Sequence, residues 1–477
     1  MSSTTKLSAR ERIITLLDDS SFVEIGALVT KRNTDFNLAQ TDAPSDGVIT
    51  GYGLIDGDLV YVYSQDAAVL NGTMGEMHAK KIVAMYDFAL KVGAPVIGLI
   101  DCAGMRLQEA TDALAAFGNV YLKQSMASGV VPQITAVFGT CGGGSAVSAA
   151  LSDFTFMPAE GAKLFVNSPN AVEGNFVGKC DTSTAQFQAE AGAVDVVKED
   201  EAAVLASIRN LISFLPCNNE ADYAFECADD LNRATETFGE LSCDPAVALA
   251  EIADDHEFFE LKADYAKEMV TGFIRLNGAT VGAVANRSAV LDENGKATEK
   301  FDTLLTAKGC AKAERFVKFC DAFGIPVLTL TNVTGYASSM CEEKSVALAA
   351  ARLTNAFASA TVPKVNLICQ NAMGSAYITM NSKHIGADLV FALDTAKIGM
   401  MDAKLAAQIM YAGETTDVRN EKAAEYDELQ CSAVAAAKRG YVDSIIEADA
   451  VRQHLVYAFE MLYTKREARP SKKHGTV

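Results

Sequence analysis

The chain has 477 residues, 49% of them hydrophobic, and a formal net charge of −20 at pH 7. Single cores stop growing at about 250–300 residues, so this length predicts two domains. The acidic balance without a basic, aromatic-studded stripe excludes a nucleic-acid groove, and the lack of an apolar run of about 20 residues or an apolar signal core in "MSSTTKLSARER" predicts a cytoplasmic protein without membrane insertion.

In chain order, "LSARERIITLLDDSSFVEI" opens with a helix. "LIDGDLVYVYS" alternates on both sides of a tight turn at Asp56 and Gly57, which predicts a hairpin. "GEMHAKKIVAMYDFALKVG" carries apolar residues at three- and four-residue spacing and stops at Gly93, as an amphipathic helix does. "APVIGLID" reads as a buried parallel strand; another helix and the strand "QITAVFG" follow, and Gly142, Gly143 and Gly144 turn the chain into a small-residue helix. Past a join near "ETFGELSCDP" the same order returns as the hairpin "RLNGATVGAVA", the helix "AKAERFVKFCDAFG", the strand "IPVLTLTN", a helix, the strand "KVNLIC" and the turn "NAMGSAYITM". Strands alternating with helices predict an α/β fold, here two domains of one kind over residues 1–245 and 246–477.

The register of this repeat is the strongest internal signal. Gly93 lies over Gly324, Pro95 over Pro326 and Val131 over Val362, each pair 231 residues apart. Upstream blocks match at shifts near 221 and 236, so loops of different length separate equivalent elements. In the shared register Gly143 matches Gly374, Gly144 matches Ser375, and Ser145 matches Ala376.

Both turns lie between the carboxyl end of a buried strand and a helix start. There the first backbone N–H groups have no partner in the helix, and the helix dipole is positive. Small side chains let a ligand oxygen approach those groups, and an oxygen that gains charge during reaction is stabilised most. A phosphate is disfavoured because "GGGSAV" lacks the lysine of a phosphate loop. A carbonyl oxygen becoming an oxyanion or enolate fits both turns, with the alternative that the glycines only permit tight packing. Eleven cysteines contain no C-x-x-C pair, so no metal site is expected, and Cys102 and Cys141 have no histidine nearby in sequence to activate them.

These segments, with "LSARERIITLLDDSSFVEIG", "GAPVIGLIDCAGMRLQEA", "ASGVVPQITAVFGTCGGGSAVSAALSDFTFM", "ATVPKVNLICQNAMGSAYITMNSKHIGAD" and the closing "TKREARPSKKHG", resemble the carboxyltransferase subunits of biotin-dependent acyl-CoA carboxylases and sodium-pumping acyl-CoA decarboxylases. The resemblance runs through nearly the whole chain. It implies two tandem crotonase-like domains, the first facing an acyl-CoA and the second facing biotin. It implies that the N–H groups of Gly143 and Gly144 hold the thioester oxygen and that those of Ser375 and Ala376 hold the ureido oxygen of biotin. In such subunits biotin, carried on a separate protein, supplies both the carboxyl group and the base, so no catalytic carboxylate pair is needed.

Further residues follow from the same resemblance. Ala103, Gly104 and Arg106 lie on the loop matching the CoA-side loop, with a salt bridge from Arg106 to Glu109 as the alternative. Gly374 borders the second turn, and Tyr377 and Ile378 follow it where they would touch the acyl end or biotin, with a packing role as the alternative; Lys80 and Lys81 are weaker candidates for CoA phosphates, and His384 for any catalytic role. Implied partners are a biotin carrier protein and either a biotin carboxylase or a membrane decarboxylase subunit. The implied assembly is a homo-oligomer built from dimers with shared sites, a hexamer included. "NVTGYASSM" and "CAGM" depart from the usual pattern, which bears on substrate and carrier docking. A biotin-independent hydratase, isomerase or thioesterase of crotonase type is the competing class.

Overall fold

The computed structural model describes residues 6–33, 41–221, 224, 226–473 and 475–477, without the side chains of 176 and 177. Residues 1–5 of the opening stretch and His474 of the closing one lie outside the described residues. The chain divides into two compact units, Met1–Asp222 and Tyr223–Val477. The second begins ahead of the expected join near residue 245, because Phe238 enters the second core beside Leu249 and Ile252, and Thr235 donates its N–H to Asp449 O at 2.9 Å.

In the first unit, α1 (Ala9–Leu16) starts on a capping box in which Ser8 Oγ accepts from the N–H of Glu11 and the Glu11 carboxylate accepts from the N–H of Ser8. Strands β1 (Val23–Ile25), β2 (Val48–Ile55) and β3 (Asp58–Gln65) are antiparallel. Helix α2 (Glu76–Val92) then leads to the parallel strands β4 (Val96–Cys102), β5 (Gln133–Gly142), β6 (Phe154–Pro158) and β8 (Val196–Lys198), while the short β7 (Lys163–Phe165) pairs with the end of β5. Helix α3 (Ala110–Ala127) joins β4 to β5, α4 (Gly144–Leu151) follows β5, and α5 (Glu201–Phe214) ends the unit.

The second unit rebuilds this sheet strand for strand. After α6 (Pro245–Ile252) come β9 (Phe258–Leu261), β10 (Met269–Leu276) and β11 (Ala279–Asn286), then α7 (Ala307–Ala322), β12 (Val327–Val333), α8 (Val346–Ser359), β13 (Lys364–Met373), α9 (Gly374–Thr379), β14 (Leu389–Leu393), β15 (Lys397–Gly399), α10 (Ala403–Met410), β16 (Ser444–Ile446) and α11 (Val451–Leu462). The order 1-2-3-4-5-6-8 with β7 on β5 becomes 9-10-11-12-13-14-16 with β15 on β13, with the same parallel and antiparallel pairings. Both hairpins close on two-residue turns at positive φ, Asp56–Gly57 and Asn277–Gly278, whose twist matches that of the strands.

Each unit has its own core. Ile82, Met85 and Ala89 of α2 pack on Val96, Ile100 and Val137; Leu249, Ile274, Leu328, Leu367 and Leu455 fill the second. Each unit is also closed by a buried arginine. Arg12 makes a two-bond pair with Glu201 at 2.9 and 3.0 Å, tying α1 to α5. Arg452 of α11 reaches back to Asp254 at 2.7 Å and Asp229 at 3.3 Å. A buried lysine recurs at the matching helix position: Lys81 donates to Ser45 O and Val48 O at the start of β2, and Lys312 donates to Lys262 O at 2.8 Å and Tyr265 O at 2.9 Å ahead of β10. Burial lowers their ammonium pKa values, to about 8 for Lys81 and about 7 for Lys312.

Candidate active site

The first turn leaves the end of β5, where Gly142 is paired with Phe165 of β7. Its three glycines answer three different constraints. A Cβ on Gly142 would stand 3.0 Å from the Phe165 ring, and one on Gly144 would stand 2.9 Å from Tyr121 Oη and 3.0 Å from the Phe117 ring. Gly143 has open space around it but sits at φ 59°, ψ −122°, a conformation that a side chain disfavours.

The N–H of Gly143 donates to Phe165 O at 2.9 Å. Gly143, one of the two expected donors, is thus engaged by β7, and the groups with no acceptor in their own helix start at Gly144, the other expected donor and first residue of α4, followed by Ser145. In the 231-residue register these match Ser375 and Ala376. The Gly144 carbonyl accepts from Tyr121 Oη at 2.6 Å, and Ser145 Oγ is buried without a hydrogen-bond partner.

Beneath the turn, the pairing of β4 with β5 is irregular between Ile100 and Cys102. Asp101 fills the irregularity: its Oδ1 accepts from the N–H of Thr140 at 3.3 Å, and its Oδ2 lies 2.8 Å from Lys6 Nζ and 3.7 Å from Arg12. Cys102 and Cys141 are paired neighbours on β4 and β5, both fully buried, and burial pushes both thiols up, so neither is a ready nucleophile.

The loop after β4 is placed otherwise than expected. Ala103 is exposed, but its N–H donates to Asn71 O at 3.2 Å, and Gly104, at φ 113°, is buried with its carbonyl accepting from Met74. Arg106 forms the salt bridge to Glu109 given as the alternative: it is 1% exposed and lies 2.7 Å from Asp46 and 2.9 Å from Glu109, while its Nη2 donates to Thr73 O at 2.7 Å. Burial raises the Asp46 carboxyl while Arg106 opposes the rise. The arginine thus braces the loop from within. Lys80 is paired with Glu76 at 2.7 Å. A cavity of about 650 Å³ opens at the end of β5, lined by Thr140, Lys163, Phe165, Ser168, Asn170 and Lys179.

The second turn repeats the backbone with different neighbours. Met373 of β13 pairs with Gly399 of β15, Gly374 sits at φ 63°, and α9 begins there. Ser375 is exposed and Ala376 buried. Asn332 replaces Asp101 in the matching strand irregularity: its Oδ1 accepts from the N–H of Asn371 at 3.2 Å, and its other partners are Asn286 and Gln370, all neutral. Tyr336 Oη lies 3.2 Å from Ser375 O and 2.8 Å from Thr379 Oγ1. Tyr377 is buried, its hydroxyl lacks a partner, and burial pushes it up to about 12. Its ring meets that of His384 edge-on at 6.1 Å, and His384 in turn packs on Tyr441. Ile378 is exposed beside it.

Comparison with known proteins gives the family. A family model described as a carboxyl transferase domain matches residues 2–477. The chain belongs to the carboxyl transferase family. Among curated relatives, it is 39% identical to the methylmalonyl-CoA decarboxylase subunit alpha of Propionigenium modestum, over 99% of this chain and 93% of that one. It is also 39% identical to the propionyl-CoA carboxylase beta chain of Roseobacter denitrificans, over 99% and 94%. Among solved structures, it matches the transcarboxylase 12S hexamer core, solved with hydrolysed methylmalonyl-CoA bound, with a TM-score of 0.92 and 35% identity over 99% of this chain and 92% of that one. The fold is accordingly that of two tandem crotonase-like domains.

Ser145, Phe165, Tyr121 and Tyr336 were not singled out from the sequence. For Ser145 the signal was present, since the 231-residue register sets it against Ala376.

Proposed function

We propose that this carboxyl transferase moves a carboxyl group between N1′ of biotin on a separate carrier protein and the α-carbon of a short acyl-CoA of the acetyl/propionyl or malonyl/methylmalonyl type. The observation that carries this reading is the doubled turn. A crotonase-type hydratase needs one oxyanion-stabilising turn, whereas exchange between two carbonyl-bearing ligands, each with an oxygen that gains charge, uses two.

In the first unit the N–H groups of Gly144 and Ser145 hold the thioester oxygen, and Gly143 supplies the bend that aims them. The adjoining cavity, with Lys163 and Lys179 among its lining residues, accommodates the acyl-CoA side. In the second unit the N–H groups of Ser375 and Ala376 hold the ureido oxygen of biotin. The residues there fit such a ring: an exposed Ser375 gives access, and the buried, unpartnered hydroxyl of Tyr377 faces its own orphan cost without a polar ligand nearby. When bound, biotin supplies the carboxyl-bearing nitrogen and the base for the α-proton. The protein contributes placement and fixed dipoles.

The same geometry serves both directions. With a biotin carboxylase as partner the flow runs toward carboxylated acyl-CoA; with a membrane decarboxylase subunit it runs in reverse. The relatives named above include one enzyme of each kind, which supports the common chemistry. Among the described residues no helix is long and apolar enough to cross a membrane. The exposed Met400, Leu405 and Ile409 on and ahead of α10 support a homo-oligomer built from dimers.

The purified chain mixed with free biotin and malonyl-CoA or methylmalonyl-CoA is expected to release CO2 only when biotin is present. Turnover without biotin would overturn the reading in favour of the hydratase class.

A further inference from the structure

We propose that Tyr121 and Tyr336 are positioning residues, one for each turn, which act by polarising the peptide group that carries the second oxyanion donor. Tyr121 Oη donates to the carbonyl of Gly144 at 2.6 Å. That carbonyl belongs to the same peptide group as the N–H of Ser145. In the second unit the hydroxyls of Tyr336 and Thr379 converge on the carbonyl of Ser375, at 3.2 and 3.3 Å, and that carbonyl shares its peptide group with the N–H of Ala376. Drawing electron density toward a carbonyl oxygen leaves the N–H of the same peptide more positive, so hydrogen bonds in series strengthen one another.

The two tyrosines are unrelated in the repeat. Tyr121 stands on α3, ahead of β5, whereas Tyr336 stands on a two-residue strand, Gly335–Tyr336, that follows β12 and pairs with Leu304–Leu305. The 231-residue register would set Tyr121 against Arg352 and Tyr336 against Met105. Two separate positions therefore deliver a phenol hydroxyl to the same backbone oxygen of the turn. Packing alone asks only for the rings, and Tyr121 also has its ring against Phe117, at 6.1 Å between centroids. Burial raises the Tyr121 hydroxyl, which keeps it a donor through the neutral range. The peptide between Gly144 and Ser145 has one further constraint: a Cβ at Gly144 would collide with the very hydroxyl that serves it.

Each polarised donor contributes a fraction of its strength through the tyrosine. If a donor is worth about 10²–10³ in rate and cooperativity adds about 10–30% of that on the logarithmic scale, each hydroxyl accounts for about 2–8-fold. The rate effect rests on the carboxyltransferase reading; the polarisation does not.

The test is therefore made in two arms on the full chain. Selective ¹⁵N-serine and ¹⁵N-alanine labelling reports the amide proton shifts of Ser145 and Ala376 without any substrate. Tyr121→Phe is expected to move the Ser145 amide proton upfield and leave Ala376 in place, and Tyr336→Phe to do the opposite, with a larger shift when Thr379→Val is added. In biotin-dependent turnover of methylmalonyl-CoA each tyrosine variant is expected to lose about 2–8-fold in kcat with an unchanged KM. Unmoved amide shifts in folded variants overturn the proposal, as do unchanged kcat values in an active wild-type background. An inactive wild type counts against the carboxyltransferase reading, and the amide shifts then decide the polarisation by themselves.

Discussion

The two turns differ in charge far more than in shape. Both leave a long parallel strand, both pass through a glycine at φ near 60°, and both rest on a side chain that fills a strand irregularity and accepts a neighbour's N–H. Beneath the first turn that side chain is Asp101, set against Lys6 and Arg12; beneath the second it is Asn332, held by neutral amides. Backbone geometry, which provides the donors, is kept in duplicate, while the electrostatic setting is free to diverge with the ligand. The difference suggests what each turn tolerates.

The sharpest way to break the equivalence is to remove one donor at a time. Ser145→Pro and Ala376→Pro each delete one N–H within the first turn of a helix, where proline is tolerated. Each is expected to lower kcat for biotin-dependent decarboxylation by about 10²–10³-fold with the fold retained by circular dichroism. A large loss in only one variant would show that the two turns are not functional equals.

Exchanging the supports comes next. Asn332→Asp places a carboxylate in a site that is 1% exposed with neutral partners, and should cost about 3 kcal/mol, lowering the Tm of the second unit by roughly 6–12 °C. Asp101→Asn keeps an acceptor for Thr140 and loses only a partly exposed pair with Lys6 and a 3.7 Å one with Arg12, so a drop of about 1 kcal/mol is expected. Calorimetry on both variants measures the asymmetry directly.

Gly143→Ala and Gly374→Ala both force a side chain into a left-handed backbone, at about 1–2 kcal/mol. Gly374→Ala should be the costlier, because its Cβ would also stand 3.2 Å from Met400 O while that of Gly143 meets open space.

The last comparison concerns the paired lysines. Burial holds the folded pKa values of Lys81 and Lys312 below the unfolded value of 10.5, so between the two limits the unfolded chain binds more protons and stability rises with pH. The rise should begin near pH 7 for Lys312 and near pH 8 for Lys81 and end near pH 10.5. Lys312→Met and Lys81→Met should each flatten the corresponding part of a Tm-against-pH curve; parallel curves for wild type and variants would sink this account.

What could be read from the sequence was whatever repeats locally. The hairpins carry Asp56–Gly57 and Asn277–Gly278, the amphipathic helices end at Gly93 and near Gly324, and the shared register aligns Ser145 with Ala376. The hydrogen bond from Gly143 to Phe165 was out of reach because β7 is only three residues long and lies some twenty residues downstream of the turn; Lys163–Phe165 has no periodicity that foretells its claim on Gly143. Arg106 was judged from its neighbour Glu109, whereas its stronger constraint, Asp46, comes from 60 residues upstream. The tyrosine contacts follow from tertiary packing that no local pattern encodes.

The closing arginines set a schedule for synthesis. Arg12 leaves the ribosome 189 residues before Glu201, which at about 5–20 residues per second is a delay of roughly 10–40 s during which a buried cation lacks its carboxylate. Once Glu201 emerges the first unit can seal while most of the second is still untranslated. The second unit has the reverse arrangement: Asp229 and Asp254 appear early and wait for Arg452, which follows Asp254 by 198 residues. A ribosome stalled between residues 222 and 452 should therefore display one protease-resistant half and one that remains open to cleavage.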